Sequence, residues 1–574
     1  MRFQRVLFPT VCDCKQLYFN GDFEVTNEGV LVISKNKKLE SDTYFNSISV
    51  KKFKKYVGAD SLTIHAVIRG IFKFYSCGAW IDTSNIIHRA DHNSTQHGHV
   101  GEVTEIDIPI VLDDSFEISY FKIETISDCE ILEMYYECTP HDVNDIKLAV
   151  GICTFKREDF INTNLARMAS SKLFDSPDKP HVFVCDNAKT LSCPGYDWVS
   201  LIPNKNVGGS GGFTRCMVEI KRSSIKFTHF ILMDDDINLD PLVIERVFDL
   251  LRCLKKEFME SIIGGSMFVL HEPWRQFEAG GLYKYGNMTF PNKLMDMRPI
   301  RHVIYNTKEN KLNYNAWCFC CMPVSVFDSG LPLPIFIHMD DVEYGTRLGR
   351  NIIQTSGIAV WHPYYPNQRS SSIVFYDIRN KLIVLSRDLK VDLTKYALNL
   401  LQGFLQFIYR YDYNRFLAAI DGFKAYLSGI DNLKTVDPVK LNSSLQKYRV
   451  VWKDLPVDME YSLSKISDLK IPHGRHETKD YFALKRKEST IYYDCDITAA
   501  NPNGYRNMVL INKYTNKYAT FSYDARMAKK CLNEYHKMKK RLKGELIDVS
   551  KVWHQRYYEL TEDDFWDKYL QEGE

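Results

Sequence analysis

The sequence predicts an α/β protein in three parts: an antiparallel β region, a mostly parallel sheet flanked by helices, and a helical C-terminal region. Three observations along the 574 residues support this division. Apolar and polar residues alternate with a period of two until about residue 140. Short apolar runs then alternate with helical stretches, and from Asp377 onward the composition is mainly that of helices.

The first part, residues 1–143, is predicted to be a β-sandwich. Ile106 and Ile108 illustrate the alternation with polar residues, and turn-forming residues separate the alternating runs, as expected of antiparallel strands. Tyr75 or Trp80 could stack on a sugar ring, which would make this part a glycan-binding module. The simpler alternative is that these aromatic side chains fill the core of the sandwich.

The second part, residues 144–382, is predicted to be a doubly wound, mostly parallel sheet. Four short apolar runs have the length of buried strands: Leu148–Thr154, His181–Cys185, Val199–Pro203 and Phe227–Met233. Helical stretches lie between them, and further strands are expected in residues 261–270 and 312–321. Strands alternating with helices imply right-handed crossovers, and ligands bind such sheets at the C-terminal ends of the strands.

A triple acid follows the fourth of these strands. Neighbouring side chains on an extended segment point to opposite sides, so Asp234 and Asp236 face one way and Asp235 the other. Paired carboxylates of this kind suit a hard cation such as Mg²⁺ or Mn²⁺. The alternative is a solvated loop that leads into a helix capped by Asp240. A calcium loop is rejected because Leu239 stands where its sharp turn needs glycine.

Polar residues also follow the other predicted strands, at the same edge of the sheet. They are Thr154, Lys156, Arg157, Asp186 and Asn187. A glycine-rich loop, residues 206–212, opens a helix, and its backbone N–H groups could hold a phosphate or a sugar hydroxyl. Later in the chain, acids at 340, 341 and 343 begin a helical turn, where they also favour the helix dipole. His362 is either a further metal ligand or a structural histidine.

Composition narrows the class of protein and its location. The formal net charge of +2 gives no electrostatic case for a nucleic-acid partner. Thiols such as Cys320 and Cys321 sit in an apolar stretch and are expected to be reduced and buried, as in the cytoplasm. We expect neither a signal peptide nor a transmembrane helix. The third part, residues 383–574, includes a basic and aromatic stretch at 527–543, which suits either an anionic membrane surface or a solvated helix face.

Taken together, these motifs resemble a known family. The series is TFKR at 154–157, CDN at 185–187, NVGGSGG at 206–212, MDDD at 233–236, YNAW at 314–317, MDDVEYGTR at 339–347, WHP at 361–363 and YDIRN at 376–380. The order is similar to that of family 2 glycosyltransferases with the GT-A (Rossmann-like) fold, and more narrowly to bacterial UDP-galactofuranosyltransferases that build galactans. Those enzymes share the layout of a β-rich, jelly-roll-like N-terminal domain, a GT-A domain and a helical C-terminal region.

The resemblance implies a role for each matching residue. The metal ligands would be Asp234, Asp236 and His362, and the catalytic base would be Asp341. The residues around the nucleotide-sugar donor would be Thr154, Arg157, Asp186, Asn187 and Asp235, and those facing the acceptor sugar would be Trp317, Asp340 and Glu343. The family's tryptophan-rich acceptor stretch is reduced here to one Trp, because Cys318 follows Trp317. The resemblance leaves the roles of Arg379 and Asn380 open.

The function implied is that of an inverting glycosyltransferase dependent on Mn²⁺ or Mg²⁺. It would transfer galactofuranose from UDP-galactofuranose to a lipid-linked, growing cell-surface glycan at the cytoplasmic face of the membrane. One alternative keeps the fold and changes the donor to a rhamnose or galactopyranose nucleotide. Another is a non-catalytic glycan-binding protein. A phosphotransferase is disfavoured because no P-loop lysine motif is present. Self-association into a homo-oligomer through either flanking part is an open alternative.

Overall fold

The computed structural model describes residues 1–192, 194–363, 371–388, 390–465, 467–472, 474–495, 498 and 500–571. The chain forms two compact units. The first unit comprises residues 1–205, 212–329 and 344–363. The second unit comprises residues 206–211 and 330–343 and the described residues of 364–574.

The first unit begins with two antiparallel sheets, which confirms the predicted sandwich. One sheet has the order β10-β7-β12-β4-β3 with β1 beside β12, and the other has the order β2-β5-β11-β8-β9 with β6 beside β11. The elements are β1 (Arg2–Arg5), β2 (Asn20–Gly21), β3 (Glu24–Val25), β4 (Leu31–Ile33), β5 (Lys38–Glu40), β6 (Ile48–Ser49), α1 (Val50–Tyr56), β7 (Leu62–Arg69), β8 (Phe72–Ile81), β9 (Ile87–His97), β10 (Val103–Ile110), β11 (Ile118–Thr125) and β12 (Cys129–Glu137).

Alternating side chains supply the core of this sandwich. In β7, Leu62, Ile64, Ala66 and Ile68 are buried while the residues between them are partly exposed. Phe121 on one sheet lies 6.3 Å, centroid to centroid, from Tyr136 on the other. The period-two pattern therefore arises because one face of each strand meets the opposite sheet.

A mixed sheet with its helices forms the rest of the first unit, except that the first residues of two of these helices, 208–211 and 340–343, belong to the second unit. Its order is β15-β14-β13-β16-β22-β17-β18-β21, with β23 beside β17. The elements are β13 (Leu148–Thr154), α2 (Glu158–Ala169), β14 (His181–Asp186), β15 (Val199–Pro203), α3 (Gly208–Arg222), β16 (His229–Asp234), α4 (Leu242–Cys253), β17 (Ile262–Val269), β18 (Glu272–Glu278), β19 (Leu282–Lys284), β20 (Asn287–Thr289), β21 (Met295–Asp296), α5 (Ile300–Asn306), β22 (Phe319–Pro323), α6 (Asp340–Leu348) and β23 (Ile352–His362).

The predicted parallel arrangement is confirmed for β13 to β16, whereas β22, whose orientation was not predicted, is antiparallel to its neighbours. Strands β13, β14, β15 and β16 pair in parallel, whereas β22 runs antiparallel to both β16 and β17. The strand expected in residues 312–321 begins only at Phe319. Before it, the Asn315 amide donates to the carbonyl oxygens of Ala316 and Phe319 at 3.0 Å, so the chain turns there instead of extending.

The sandwich and the mixed sheet share buried contacts through Arg246 of α4. Its guanidinium donates hydrogen bonds to the carbonyl oxygens of Arg5 at 2.8 Å, Phe45 at 2.7 Å and Gly357 at 3.1 Å. Arg246 is 2% exposed, and burial lowers its pKa to about 10. One side chain thus ties the first strand of the sandwich to β23, the strand that ends at His362.

The second unit is mainly helical, as predicted, with a small sheet that the sequence analysis did not predict. Its elements are α7 (Ile373–Ser386), α8 (Leu393–Tyr409), α9 (Tyr413–Leu427), α10 (Gly429–Thr435), α11 (Pro438–Leu445), β24 (Lys453–Asp454), α12 (Gly474–Ala483), β25 (Lys487–Asp494), β26 (Tyr505–Asn512), β27 (Lys517–Ser522), α13 (Ala525–Arg556) and α14 (Asp563–Gln571). The sheet order is β24-β27-β26-β25.

The basic stretch at 527–543 lies inside α13. Tyr535, Met538 and Leu542 are buried, and Lys539 and Lys540 are exposed, so the helix is amphipathic with a basic outer face. Among the described residues, none of the helices combines the length and the apolar character needed to cross a bilayer. The described cysteines are free thiols.

Candidate active site

Asp234, Asp236 and His362 converge in the first unit. Asp234 is the last residue of β16 and His362 the last of β23, and Asp236 lies in the turn after β16. The His362 Nε2 atom lies 3.4 Å from Asp234 Oδ2 and 3.3 Å from Asp236 Oδ1. One ligand atom from each residue can be chosen so that all three lie within 4.8 Å of one another. Among the described residues this is the one group of such residues placed to hold a metal ion.

A backbone bridge brings His362 to the acids, although β16 and β23 are not neighbours in the sheet. The Asn238 N–H donates to Trp361 O at 2.7 Å, and the Trp361 N–H returns a bond to Asn238 O at 3.3 Å. The Trp361 indole N–H donates to Pro273 O at 3.0 Å, which fixes the buried ring. The loop after the triple acid is therefore paired with the residue next to His362.

The protonation of His362 follows from its partners. Its Nδ1 lies 2.8 Å from Pro363 O, so this nitrogen carries a proton and Nε2 faces the carboxylates. Burial lowers the pKa of His362, but the hydrogen bonds and charges of Asp234 and Asp236 outweigh burial and raise it to about 10. Burial raises the pKa of Asp236, and the His362 hydrogen bond and the nearby positive charges bring it below its usual range.

Two carboxylates and one imidazole nitrogen fit a divalent cation such as Mn²⁺ or Mg²⁺. The carboxylates supply hard oxygen ligands, and Nε2 points at the same place because Nδ1 is held by a carbonyl. A proton and a cation compete for Nε2, so metal binding at this site would release a proton. The residues that the resemblance marks as metal ligands are thus close together in a chemically suitable arrangement.

Asp235 is not part of this group, and its carboxylate oxygens are held by other residues. The Thr154 hydroxyl donates to Asp235 Oδ2 at 2.7 Å, and Arg157 Nη1 donates to Asp235 Oδ1 at 2.7 Å. The same guanidinium nitrogen lies 2.9 Å from Asp236 Oδ2. Burial raises the pKa of Asp235, with Arg157 and Thr154 opposing that rise. Arg157 therefore links the two sides of the triple acid, with 46% of its side chain exposed.

Asn164 is a contributor that the sequence analysis missed. Its amide donates to the carbonyl oxygens of Asp235 at 3.0 Å and Ile237 at 3.1 Å, which holds the turn of the triple acid against α2. Asn164 is 1% exposed and lies on the helix face that also buries Ile161 and Leu165. A polar residue within an apolar helical face was the signal that could have identified it.

Asp186 and Asn187 shape the loop at the end of β14. The Asp186 carboxylate accepts backbone N–H bonds from Ala188 at 2.9 Å, Thr190 at 2.6 Å and Leu191 at 2.8 Å. The Asn187 N–H donates to Thr154 O at 2.9 Å, and its side-chain oxygen accepts from Asn204 at 2.9 Å. Both predicted donor-site residues are buried and organise the backbone beside Thr154. The contact of Asp186 and Asn187 with a nucleotide sugar remains a prediction.

The residues predicted to face the acceptor divide between the units. Trp317, in the first unit, is 5% exposed and packs edge-on against Phe213 at 5.5 Å. Asp340, Asp341 and Glu343 lie in the part of α6 that belongs to the second unit. Glu343 is fully buried, and its carboxylate lies 3.1 Å from the Tyr557 hydroxyl. An acceptor contact by Glu343 would require it to exchange this partner, so its predicted role remains untested.

The fold and the geometry of the candidate metal site agree with the class of protein that the motifs predicted, a glycosyltransferase. The mixed sheet has the GT-A-like organisation expected from the motifs, and in chain order it follows the predicted antiparallel sandwich and precedes the helical region. More particularly, the chain is a distant homologue of galactofuranosyltransferase GlfT2. It is 24% identical over 441 residues to the protein from Mycolicibacterium smegmatis and 25% identical over 386 residues to that from Mycobacterium tuberculosis. These matches cover 71% and 62% of this chain.

The chain spans 66% and 59% of the lengths of these curated relatives. No protein-family model matches it. Among solved structures, the mannosyltransferase PcManGT from Pyrobaculum calidifontis, in complex with GDP-Man and Mn²⁺, is 12% identical with a TM-score of 0.29. That match covers 54% of this chain and 88% of PcManGT. The resemblance inferred from the motifs is confirmed by the two sequence relatives.

Proposed function

We propose that this protein is an inverting, metal-dependent glycosyltransferase that transfers galactofuranose from UDP-galactofuranose to a hydroxyl group of a growing cell-surface glycan. The single observation that carries the proposal is the convergence of Asp234, Asp236 and His362 at the ends of two separated strands. The distant homology to GlfT2 supports the choice of sugar. The identity of the donor, UDP-galactofuranose, and that of the acceptor glycan are both proposed here.

The metal would be held by Asp234, Asp236 and His362. A bound divalent cation offsets the negative charge that develops on the leaving diphosphate. Arg157 adds a positive charge beside the same carboxylates and is exposed enough to reach a phosphate. The proposed role of Asp235 is to hold Arg157 in place, since both of its oxygens are engaged by Arg157 and Thr154.

The donor's uridine is proposed to lie at the loop that follows β14. Asp186 fixes the backbone of this loop through three N–H bonds, and Asn187 joins it to the end of β13. These bonds would present a preformed edge to the nucleotide, so the two residues would act mainly by shaping the pocket. Thr154 lies where this edge meets the triple acid.

Asp341 is the proposed general base. It would take the proton from the attacking acceptor hydroxyl, a contribution of typically 10²–10⁴-fold to the rate. One base without a protein nucleophile means a single displacement, so the anomeric centre inverts. Trp317, Asp340 and Glu343 are the proposed acceptor-side residues.

A lipid-linked acceptor would place the reaction at the cytoplasmic face of a membrane. The exposed lysines of α13 form a basic surface of the kind that anionic headgroups attract, at about 1 kcal/mol per residue near the surface. We therefore propose peripheral membrane contact through the second unit. Flotation with vesicles of neutral and anionic composition measures this membrane binding. Self-association into a homo-oligomer is a separate question, which sedimentation velocity measures.

The decisive experiment measures UDP release from a panel of nucleotide sugars, with and without Mn²⁺. Wild type is compared with Asp341→Asn, Asp236→Asn and a surface control, Glu488→Gln, whose side chain is 76% exposed. We expect metal-dependent release from UDP-galactofuranose, lost in both aspartate variants and unchanged in the control. Asp341→Asn should still bind the donor, whereas Asp236→Asn should not.

Other outcomes would refute parts of the proposal. Release from a rhamnose or galactopyranose nucleotide alone would keep the fold and replace the donor. Near wild-type turnover by Asp341→Asn would remove the base assignment. No UDP release with any donor and acceptor, together with glycan-array binding that Asp236→Asn retains, would favour a non-catalytic glycan-binding protein.

A further inference from the structure

The segment of residues 335–339, which leads directly into Asp340 and Asp341, has an unusual backbone. Phe336, His338 and Met339 have φ angles of 74°, 64° and 70°. Non-glycine residues rarely adopt this left-handed region, because the Cβ atom clashes with the backbone. Such a segment persists only where the surrounding structure holds it. We call residues 335–339 the left-handed segment, and it belongs to the second unit.

Asn380 is the main contact to this segment. Its side-chain amide nitrogen lies 3.0 Å from Ile335 O, 2.8 Å from Ile337 O and 3.0 Å from His338 O. Asn380 is fully buried, and its side-chain oxygen accepts a bond from Arg379 Nε at 2.9 Å. One amide group thus satisfies carbonyl oxygens that a regular strand or helix would have paired along the backbone.

Arg379 and the preceding turn of α7 also contact the left-handed segment. We call the residues that hold this segment, Asn380, Arg379 and Ser210, the clamp. Arg379 Nη2 donates to Ile335 O at 2.7 Å, and Arg379 is 4% exposed. His338 Nδ1 lies 2.6 Å from Asp377 Oδ1, and the Phe336 ring stacks on Tyr376 at 5.1 Å. The Tyr376–Asn380 motif therefore contacts the left-handed segment along its length.

The glycine-rich loop holds the segment from another side. The Ser210 N–H donates to Phe336 O at 3.0 Å, and the Ser210 hydroxyl donates to Leu333 O at 2.5 Å. A Cβ atom added to Gly208 would lie 2.1 Å from Phe336 O, so only glycine allows this approach. The loop that the sequence suggested for a phosphate thus uses the Ser210 N–H and the Gly208 position to pack against the left-handed segment.

The left-handed segment is joined directly to the first turn of α6. Met339 O accepts the helical bond from Glu343 N at 2.8 Å. Asp341 Oδ1 accepts the N–H of Val342 at 2.7 Å, so this carboxylate is oriented by the backbone of the same turn. A shift of the left-handed segment would consequently move the backbone that carries Asp341.

We propose that Asn380, Arg379 and Ser210 are positioning residues for the base. They hold the left-handed segment in a conformation that it would not keep alone, and this conformation fixes the start of α6 and the Asp341 carboxylate. The inference deepens the proposed function and rests on it, since Asp341 is the proposed base. It assigns a role to the Arg379-Asn380 pair that the motif series left open. It also reassigns Ser210 of the glycine-rich loop from ligand binding to positioning.

The test compares Asn380→Ala with a variant matched for structural damage. Ser386→Ala lies on the same helix and removes a fully buried side chain that bonds Leu382 O at 2.8 Å and the Tyr426 hydroxyl at 2.7 Å. It leaves the left-handed segment untouched. Ser210→Ala is a milder variant: it removes the hydroxyl bond to Leu333 O, just before the left-handed segment, and keeps the N–H bond to Phe336 O. It covers the case in which Asn380→Ala does not fold.

We expect kcat of Asn380→Ala to fall on the order of 10²-fold, because a base displaced by about 1 Å loses that much. The KM for the nucleotide sugar should change less than about threefold, since the donor site is intact. Ser386→Ala should lose as much thermal stability while keeping its kcat. Equal losses of kcat in Asn380→Ala and Ser386→Ala would overturn the proposal, as would a KM effect without a kcat effect.

A second readout does not depend on any activity. Backbone amide exchange over residues 336–342 should accelerate at least about tenfold in Asn380→Ala or Ser210→Ala, and not in Ser386→Ala. If wild type transfers no sugar while exchange follows this pattern, the proposed function fails and the clamp stands. If exchange over these residues is unchanged in both clamp variants, the clamp is refuted whatever the activity.

Discussion

Replacing Arg246 by Met tests whether one buried guanidinium joins the sandwich to the sheet that carries the site. The substitution keeps the length of the side chain and removes its donors to Arg5, Phe45 and Gly357. Each buried carbonyl left without a partner costs about 1–3 kcal/mol. Because some relaxation follows, we expect a total loss of about 3–5 kcal/mol.

The assay is thermal unfolding followed by intrinsic fluorescence. The Tm of a unit of this size shifts by roughly 1–2 °C per kcal/mol, by extrapolation from smaller domains, so Tm should fall by about 3–10 °C. Arg252→Met is the matched control, because Arg252 lies on the same helix. Its guanidinium lies over the Phe248 ring, 5.6 Å from the ring centroid. A Tm for Arg246→Met within 1 °C of wild type, or an equal loss in Arg252→Met, would refute the reasoning.

Three further predictions concern the first unit. Burial raises the pKa of Asp240 to about 6, so the protonated form of Asp240 favours the folded state. As the pH rises from 5 to 8, the free energy of unfolding of the wild type should therefore fall by roughly 1 kcal/mol relative to that of Asp240→Asn. His362→Ala should weaken Mn²⁺ binding by at least about tenfold, measured by calorimetry, because one of the proposed ligands is lost. Gly212→Ala should lower Tm and donor affinity together, since its Cβ would lie 2.1 Å from Cys153 Sγ and 3.0 Å from Asn187 Nδ2.

Each of these has a contrary result. The sign for Asp240 follows from a folded pKa above the unfolded value, so parallel pH profiles of Tm for the two proteins would show that its pKa is not raised. Unchanged Mn²⁺ affinity in His362→Ala would remove His362 from the metal group. Wild-type donor affinity in Gly212→Ala would mean that Asn187 does not shape the donor pocket.

Local pattern was enough to predict the strands and the triple acid. Strand Leu148–Thr154 has the predicted bounds, because its apolar run is bounded by polar residues on both sides. Asp235 contacts Thr154 and Asp236 contacts His362, as the predicted opposite orientations require, although both residues lie in the turn after β16 and share Arg157 as a partner. The residues alone left His362 as either a metal ligand or a structural histidine, and the family resemblance decided between them, since no local signal places it near Asp236, 126 positions earlier.

What the sequence did not predict depends on contacts between distant segments. The antiparallel entry of β22 is a matter of topology, since an apolar run has the same composition in either direction. The bridge between Asn238 and Trp361 uses backbone atoms, which leave no trace in side-chain patterns. The sheet of the second unit was missed although Tyr505–Asn512 contains a buried apolar run, because its neighbour Lys487–Asp494 buries one side chain and mixes charged with aromatic residues.

The shared core of the first unit bears on how such a chain could change by recombination. Tyr44 of the sandwich packs 4.8 Å from Phe268 of the mixed sheet, and Phe45 packs 5.6 Å from Trp361, beside His362. A crossover near residue 143 would bring together two halves whose aromatic surfaces had not been selected to fit. We therefore expect that exchanging the sandwich alone would destabilise the first unit, unlike the exchange of an appended module that only a tether joins.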